Sequence, residues 1–295
     1  MSKVWLITGC SSGFGQEIAR AAAQSGDTVV ATARDVSKLD GLTEPGIVKK
    51  RLDVLADDAE MRAVVDDVVG TVGRIDVLVN NAGYVLEPGG RDRRVQVRMD
   101  SPSRAQVDRQ FATNIYGQLN VLRAVAPHMR ARRSGVIANL GSIGGWAGGA
   151  AAGIYCATKA AVAVYSEALR AELAPLGVDV TCVEPGYFRT NLLTGGRKTT
   201  AARRVPELAE ATRATREALE SVSLRQPGDP AKGARVIVDA LTKRGRCEGR
   251  TLPARLALGS DAVKMIGDVL ERNRRDLEEW ADIVSKTDCD DVGTS

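Results

Sequence analysis

Histidine is almost absent from the chain: His128 is the only one in 295 residues. Catalysis by a serine–histidine–aspartate relay, or by a histidine-held metal, is therefore nearly excluded, and no metal site is expected. The five cysteines, Cys10, Cys156, Cys182, Cys247 and Cys289, are odd in number, scattered, and form no C-x-x-C pair. Neither a disulfide framework nor a zinc site is indicated. No uncharged apolar run approaches the roughly 18 residues that suggest a membrane span. The opening MSKVWLITGC passes straight into a strand-like run, without the apolar core and small-residue cleavage site of a secretory signal. The expectation is a cytoplasmic protein with no transmembrane segment. A formal charge of +4 is modest, and the arginine clusters at 91–94 and 130–133 come without a recognition motif, so no nucleic acid partner is expected.

What is present is an alternation. Short β-branched runs at 4–8, 28–33, 48–54, 76–80, 135–140, 178–184 and 251–258 are separated by helical patterns. Val64, Val65, Val68, Val69 and Val72 recur at helical spacing, as do Leu119, Leu122, Val125 and Met129, and these are core candidates. Strand–helix–strand repetition predicts a mostly parallel, seven-stranded, doubly wound α/β sheet with helices on both faces. The 44% apolar content is ordinary for such a protein. Two segments interrupt the rhythm: a polar, basic stretch at 84–103, and residues 191–226, where a long insertion above a strand end reads as a lid or as surface decoration. Residues 261–284 form a further helical pattern, and a small, polar, acidic tail from about Thr287 is expected to fray.

The first strand runs into TGCSSGFGQEIA, which places Gly9, Gly13 and Gly15 around Ser11, Ser12 and Phe14 at a strand-to-helix turn. Glycines there let the backbone approach a pyrophosphate, and the helix start supplies N–H donors and a favourable dipole. Further along, GIYCATKAAV sets Tyr155 and Lys159 four residues apart, on one face of a helix. A free tyrosine has a pKa near 10. A cation about 4 Å from the phenol, at an effective dielectric near 20, would lower that by about three units before desolvation offsets part of it. Gly9, Asn81, Ser142 and Pro185 all follow strand ends, where ligands collect in parallel sheets.

The ordered set of T-G-x-x-x-G-x-G, N-N-A-G at 80–83, Asn114, Ser142 and Y-x-x-x-K resembles the short-chain dehydrogenase/reductase family over roughly residues 3–260. The TGCSSGFG opening, the ATARD strand end and LPARLALGSDAV look most like its hydroxysteroid and retinol dehydrogenase-like branch. The resemblance implies a single Rossmann-type domain over 1–260, with a substrate lid at about 187–226 and a C-terminal helix and tail at 261–295. It makes Tyr155 the general acid or base, Ser142 the hydrogen-bond partner of the substrate oxygen, and Lys159 a ligand of the nicotinamide ribose. Asn114 would support a proton-relaying water. Asp53, with Val54, would lie at the adenine; Asn81, Ala82 and Gly83 beside its ribose; and Pro185, Gly186 and Thr190 at the carboxamide. Related enzymes pair subunits through helices corresponding to 104–131 and 154–174, which implies a homodimer or homotetramer.

Enzymes that use NAD place a carboxylate at the end of the second strand, whereas here Ala33 stands there and Arg34 follows. Arg34 could pair with a 2′-phosphate, with Ser11 and Ser12 leaving room, so NADP(H) is favoured over NAD(H). A surface pair of Arg34 with Asp35 is the competing reading. Small residues at 142–155 border the expected substrate, and Trp146, Tyr187 and Phe188 are candidate apolar walls for a bulky apolar or aromatic carbonyl compound or alcohol. Two rivals stand beside the ketone–alcohol oxidoreductase: a non-catalytic dinucleotide-binding sensor or scaffold, and another chemistry on the same fold.

Overall fold

The computed structural model describes residues 2–86, 103–150, 152–190, 198–199 and 225–289. Seven strands, β1 Val4–Ile7, β2 Thr28–Ala33, β3 Ile47–Arg51, β4 Val77–Asn80, β5 Gly135–Leu140, β6 Val178–Pro185 and β7 Arg255–Leu258, form one sheet in the order 3-2-1-4-5-6-7. Every pairing in it is parallel, so the sheet is wholly rather than mostly parallel. The chain reverses its direction of travel across the sheet between β1 and β4, the place where open α/β sheets leave a crevice beyond their carboxyl ends.

The helices are α1 Gly13–Gln24, α2 Asp58–Val72, α3 Arg104–Phe111, α4 Gly117–Arg132, α5 Gly153–Leu173, α6 Pro230–Thr242 and α7 Ser260–Val284. Two core layers follow from the alternation along the strands. Trp5, Ile7, Val29 and Ala31 meet Ile18, Ala22, Ile237 and Leu241 of α1 and α6 on one face. Leu6, Val30, Leu78 and Ile137 meet Met61, Val65, Val125 and Met129 of α2 and α4 on the other. Each fully buried aliphatic side chain contributes about 1.5–3 kcal/mol, so both faces must be covered for the sheet to persist. The starts of α2, α3 and α6 are capped by side chains: Asp57 accepts from Ala59 and Glu60 N–H at 2.9 and 2.8 Å, Ser103 accepts from Gln106 N–H, and Asp229 caps α6 with Pro230 in its first turn.

Strand lengths depart from the sequence pattern at both edges. β7 begins at Arg255, after Pro253, which has no N–H to give a ladder. β3 ends at Arg51, so Asp53 lies beyond the strand, where its carboxylate accepts from Leu55 N–H at 3.0 Å. A short parallel pair joins Val85–Leu86 to Lys198–Thr199. The basic stretch at 91–100 and most of the 187–226 lid segment lie outside the described residues, as does the end of the tail. No helix among the described residues is long and apolar enough to cross a membrane.

Candidate active site

Beyond the carboxyl end of β1, the turn is held by the Thr8 hydroxyl and by the side chain of Asn81, which follows β4. Asn81 donates to Thr8 O at 2.8 Å and Gly9 O at 3.1 Å, while the Thr8 hydroxyl accepts from the N–H groups of Asn81 and Ala82, both at 3.0 Å. Gly9 has φ +72°, and a Cβ at Gly15 would lie 2.4 Å from Asn81 Nδ2 and 2.6 Å from Gly9 O. Only glycine fits that approach. Ser12, the N-cap of α1, makes no side-chain hydrogen bond to the first turn, so the N–H donors there are not capped by it. Thr190 lies beside this turn, with its Cβ 3.7 Å from where a Gly13 Cβ would be.

Asn114 sits in a π-helical turn, Ala112–Tyr116, between α3 and α4, and is completely buried. Its amide donates to Tyr84 O and Thr158 Oγ1 and accepts from Tyr84 N–H, all at 3.1 Å. Such turns inside α-helices recur at functional sites. Here the widened turn lets one amide clamp the segment after β4 to α5, one residue before Lys159.

Ser142 follows β5 as the N-cap of a short 3₁₀ turn, Ile143–Gly145, and its hydroxyl accepts from Gly144 N–H at 3.1 Å. The same hydroxyl hydrogen-bonds the phenol of Tyr155, which is half-buried at the start of α5. Lys159 lies one turn further on, buried, with its ammonium donating to Leu140 O at 2.6 Å and standing 5.8 Å from the centre of the Tyr155 ring.

The protonation energetics differ from the expectation of a phenol acidified by its neighbouring cation. Burial pushes Tyr155 up to about 12, opposed in part by the Ser142 hydrogen bond, and burial pulls Lys159 down to about 8. Desolvation wins because both groups leave water together and the ammonium is directed to a carbonyl. What the cluster provides is a neutral phenol able to give a proton, held by serine, with a lysine whose charge is poised near neutrality.

A short chain dehydrogenase family model matches residues 3–201. The chain belongs to the short-chain dehydrogenase/reductase family. A crystal structure of a short-chain dehydrogenase from Streptomyces avermitilis is 39% identical, with a TM-score of 0.83 over 97% of this chain and 98% of that one. An oxidoreductase of Botryotinia fuckeliana, BOA17, is 32% identical over 96% of this chain and 98% of its own length. A 3-ketodihydrosphingosine reductase of Bacteroides thetaiotaomicron is 37% identical over 64% of this chain and 65% of its own.

In this short-chain dehydrogenase, the expected site residues separate into groups. Gly9, Ser11, Ser12, Gly13, Gly15, Asn81, Ala82 and Thr190 gather around the α1 turn, Gly83 lies against the Asn114 amide, and Asn114, Ser142, Tyr155 and Lys159 converge at the start of α5. Val54 is buried against Gly117, where a Cβ would meet its Cγ2 at 2.7 Å. Arg34 is exposed at the end of β2. The Arg34–Asp35 pair is not formed among the described residues; Asp35 is engaged with the backbone and hydroxyl of Ser37 and, at 4.0 Å, with Lys38.

The three wall candidates part company. Tyr187 is 39% exposed and close enough to raise the pKa of Tyr155, so it stands at the site. Phe188 is instead core: its ring meets Phe14 edge-on at 4.8 Å between centroids, and Gly228 and Gly233 leave the space it fills. Phe14 therefore gives its ring to the core and only its backbone to the turn. Trp146 is tethered rather than free, its indole N–H donating to Glu184 at 2.7 Å while the Arg255 guanidinium lies 3.8 Å over its ring. Glu184 is 1% exposed and also accepts from Arg255 at 2.5 and 2.9 Å.

Thr8, Thr158, Glu184, Arg255 and Asp261 also hold the site, and the sequence pattern assigns none of them a role. Asp261 accepts from Tyr187 N–H at 2.7 Å and fills the space over Gly186, so α7 fixes the segment that follows β6. One signal existed: of the two acids in VDVTCVEP, Glu184 stands in the apolar second half of the strand, and a carboxylate on a buried strand needs a partner.

Proposed function

We propose that the protein is an NADP(H)-dependent oxidoreductase that interconverts a ketone or aldehyde and an alcohol, acting on a bulky apolar or aromatic compound. The observation that carries the reading is the convergence of Ser142, Tyr155 and Lys159 beside a glycine turn shaped for a dinucleotide. The fit of the dinucleotide rests on Gly15, where no side chain could stand, on the uncapped start of α1, and on Arg34 at the end of β2. When bound, the nicotinamide supplies the hydride in reduction and takes it in oxidation.

The residues do the rest. Ser142 holds the carbonyl oxygen, and Tyr155 gives it the phenolic proton as negative charge develops there. Lys159 as a cation stabilises the resulting phenolate, and its depressed pKa lets it pass a proton onward near neutral pH. Asn114 spends its side chain on Tyr84 and Thr158, so in the proton relay it acts by holding the wall and through its main chain. The roles of Asp53, Val54, Pro185 and Gly186 are those of the adenine and carboxamide ends. Support for an apolar substrate comes from Tyr187 and from the relative that reduces 3-ketodihydrosphingosine. The protein acts in the cytoplasm as a single catalytic domain over 1–260, pairing into a homodimer or homotetramer through the helical stretches 104–131 and 154–174, where Tyr116 and Val164 expose apolar surface.

The test is NADPH oxidation against small, steroidal, retinoid and polycyclic aromatic ketones and aldehydes, with Tyr155→Phe alongside. Turnover of the large apolar compounds, lost in the variant, is the expected result. Preference for small polar ketones would overturn the substrate class. Tight NADPH binding with no turnover of any carbonyl would favour the sensor or scaffold.

A further inference from the structure

The C-terminal helix α7 has one apolar face and only half a partner for it. Ala262, Ile266 and Val269 on that face are buried, and Ala262 and Ile266 pack with Ile143 and its neighbours at the sheet end. From Leu270 onward, every described residue is exposed, although the helix continues to Val284. The overhang is about 22 Å long at 1.5 Å per residue. The apolar stripe does not stop where the body stops: Leu270, Leu277, Trp280, Ile283 and Val284 are 53, 67, 57, 61 and 49% exposed. Leu270, Asn273, Leu277, Trp280 and Val284 follow one another at alternating steps of three and four, the repeat by which one helix packs on another.

We propose that this overhang is a self-association surface, occupied by the same overhang of a second copy of this chain. Area and charge choose the occupant. The five exposed side chains offer on the order of 100 Å² each, so two copies together bury about 1,000 Å², the size at which a specific interface begins. A two-fold arrangement achieves this with one patch facing itself. The helix carries seven carboxylates (Asp261, Asp268, Glu271, Asp276, Glu278, Glu279, Asp282) against four cations (Lys264, Arg272, Arg274, Arg275), so it is repelled by an anionic bilayer. Arg274 is already paired with Glu271 and Glu278, and Lys264 with Asp268, so two of the four cations are engaged within the helix and no basic stripe is left to select an acidic partner. A solvated helix of this length with its apolar face in water is marginal on its own, and a second copy removes that cost. The surface is separate from α4 and α5 and does not depend on the reaction.

Sedimentation velocity and light scattering on the full chain from about 1 to 100 μM test the inference, with Leu277→Glu and, on the opposite side of the helix, Arg275→Glu as a control. Leu277 is exposed, so its replacement leaves the fold intact, which retained NADPH binding verifies. The expected result is that Leu277→Glu has half the mass of the wild type, while Arg275→Glu matches the wild type. Trp280 emission should shift to the blue with concentration in the wild type and not in Leu277→Glu. A wild type that is monomeric throughout, or a Leu277→Glu variant with the wild-type mass, would overturn the proposal; the second result would mean that the stripe is covered by the chain's own residues or by an unlike partner.

Discussion

The two halves of the site are held by different forces. The dinucleotide half is a matter of backbone: Gly9 and Gly15 allow the close approach, and Thr8 and Asn81 tie the turn to the segment after β4 with neutral hydrogen bonds of 2.8–3.1 Å. The catalytic half is a matter of buried charge. Lys159 is almost sealed from water with a carbonyl as its partner, and behind the Ser142 turn Glu184, Arg255 and Trp146 form a tether of their own. Neutral networks specify geometry at small cost, whereas buried charges tolerate no lost partner. The first half should thus fail by steric intrusion and the second by loss of charge or of a donor.

The largest effect should come from intrusion. Gly15→Val drives a side chain into Asn81 and the Gly9 carbonyl; overpacking of this kind costs about 1–3 kcal/mol or more and also displaces the N–H donors, so NADPH affinity should fall at least about a hundredfold by calorimetry. The fold should survive, as judged by circular dichroism.

Lys159 sharpens the contrast through pH. Its folded pKa is lowered to about 8 from 10.5. Between those values the unfolded chain keeps the proton and the folded chain has released it, so unfolding free energy rises with pH across that window. Below about 8 the buried charge costs stability. Denaturant titrations of wild type and Lys159→Met should therefore diverge by up to about 3 kcal/mol from pH 8 to 10.5, with wild type gaining. A flat difference would mean that the lysine is not desolvated.

Arg34→Ala should weaken NADPH by about ten- to a hundredfold, the worth of a charge-assisted hydrogen bond, and leave NADH within about threefold. Equal losses for the two dinucleotides would remove the assignment. The smallest effect belongs to the tether. Trp146→Phe keeps the ring on Arg255 and leaves Glu184 its two bonds from Arg255, so the loss of one donor should cost about 1 kcal/mol in stability and, through the Ser142 turn, lower kcat with dinucleotide affinity unchanged.

The same contrast explains what could be read from the sequence. The glycine turn and the Y-x-x-x-K pair depend on residues close together in the chain, so their spacing carried the geometry, and the alternation of runs carried the seven strands. Phe188 could not be placed that way, because its burial depends on Gly228 and Gly233, some 40 residues later. The inverted energetics of Tyr155 and Lys159 were hidden for a related reason: proximity is legible as i and i+4, but desolvation depends on segments elsewhere in the chain, on β5, whose Leu140 carbonyl takes the Lys159 ammonium, and on the Ser142 turn, which meets Tyr155. The tether of Trp146 joins three segments of chain, and only Glu184, an acid in the buried half of β6, announced it.

On the proposed function, one site has two separable halves, one that holds a dinucleotide and one that moves a proton. The direct measurement is NADPH dissociation constant and kcat for wild type and Tyr155→Phe, side by side, with the best apolar carbonyl. Loss of the proton donor should lower kcat by about 10²–10⁴ while the dissociation constant stays within about threefold. A variant that turns over within about tenfold of wild type, or one that loses NADPH along with turnover, would contradict it.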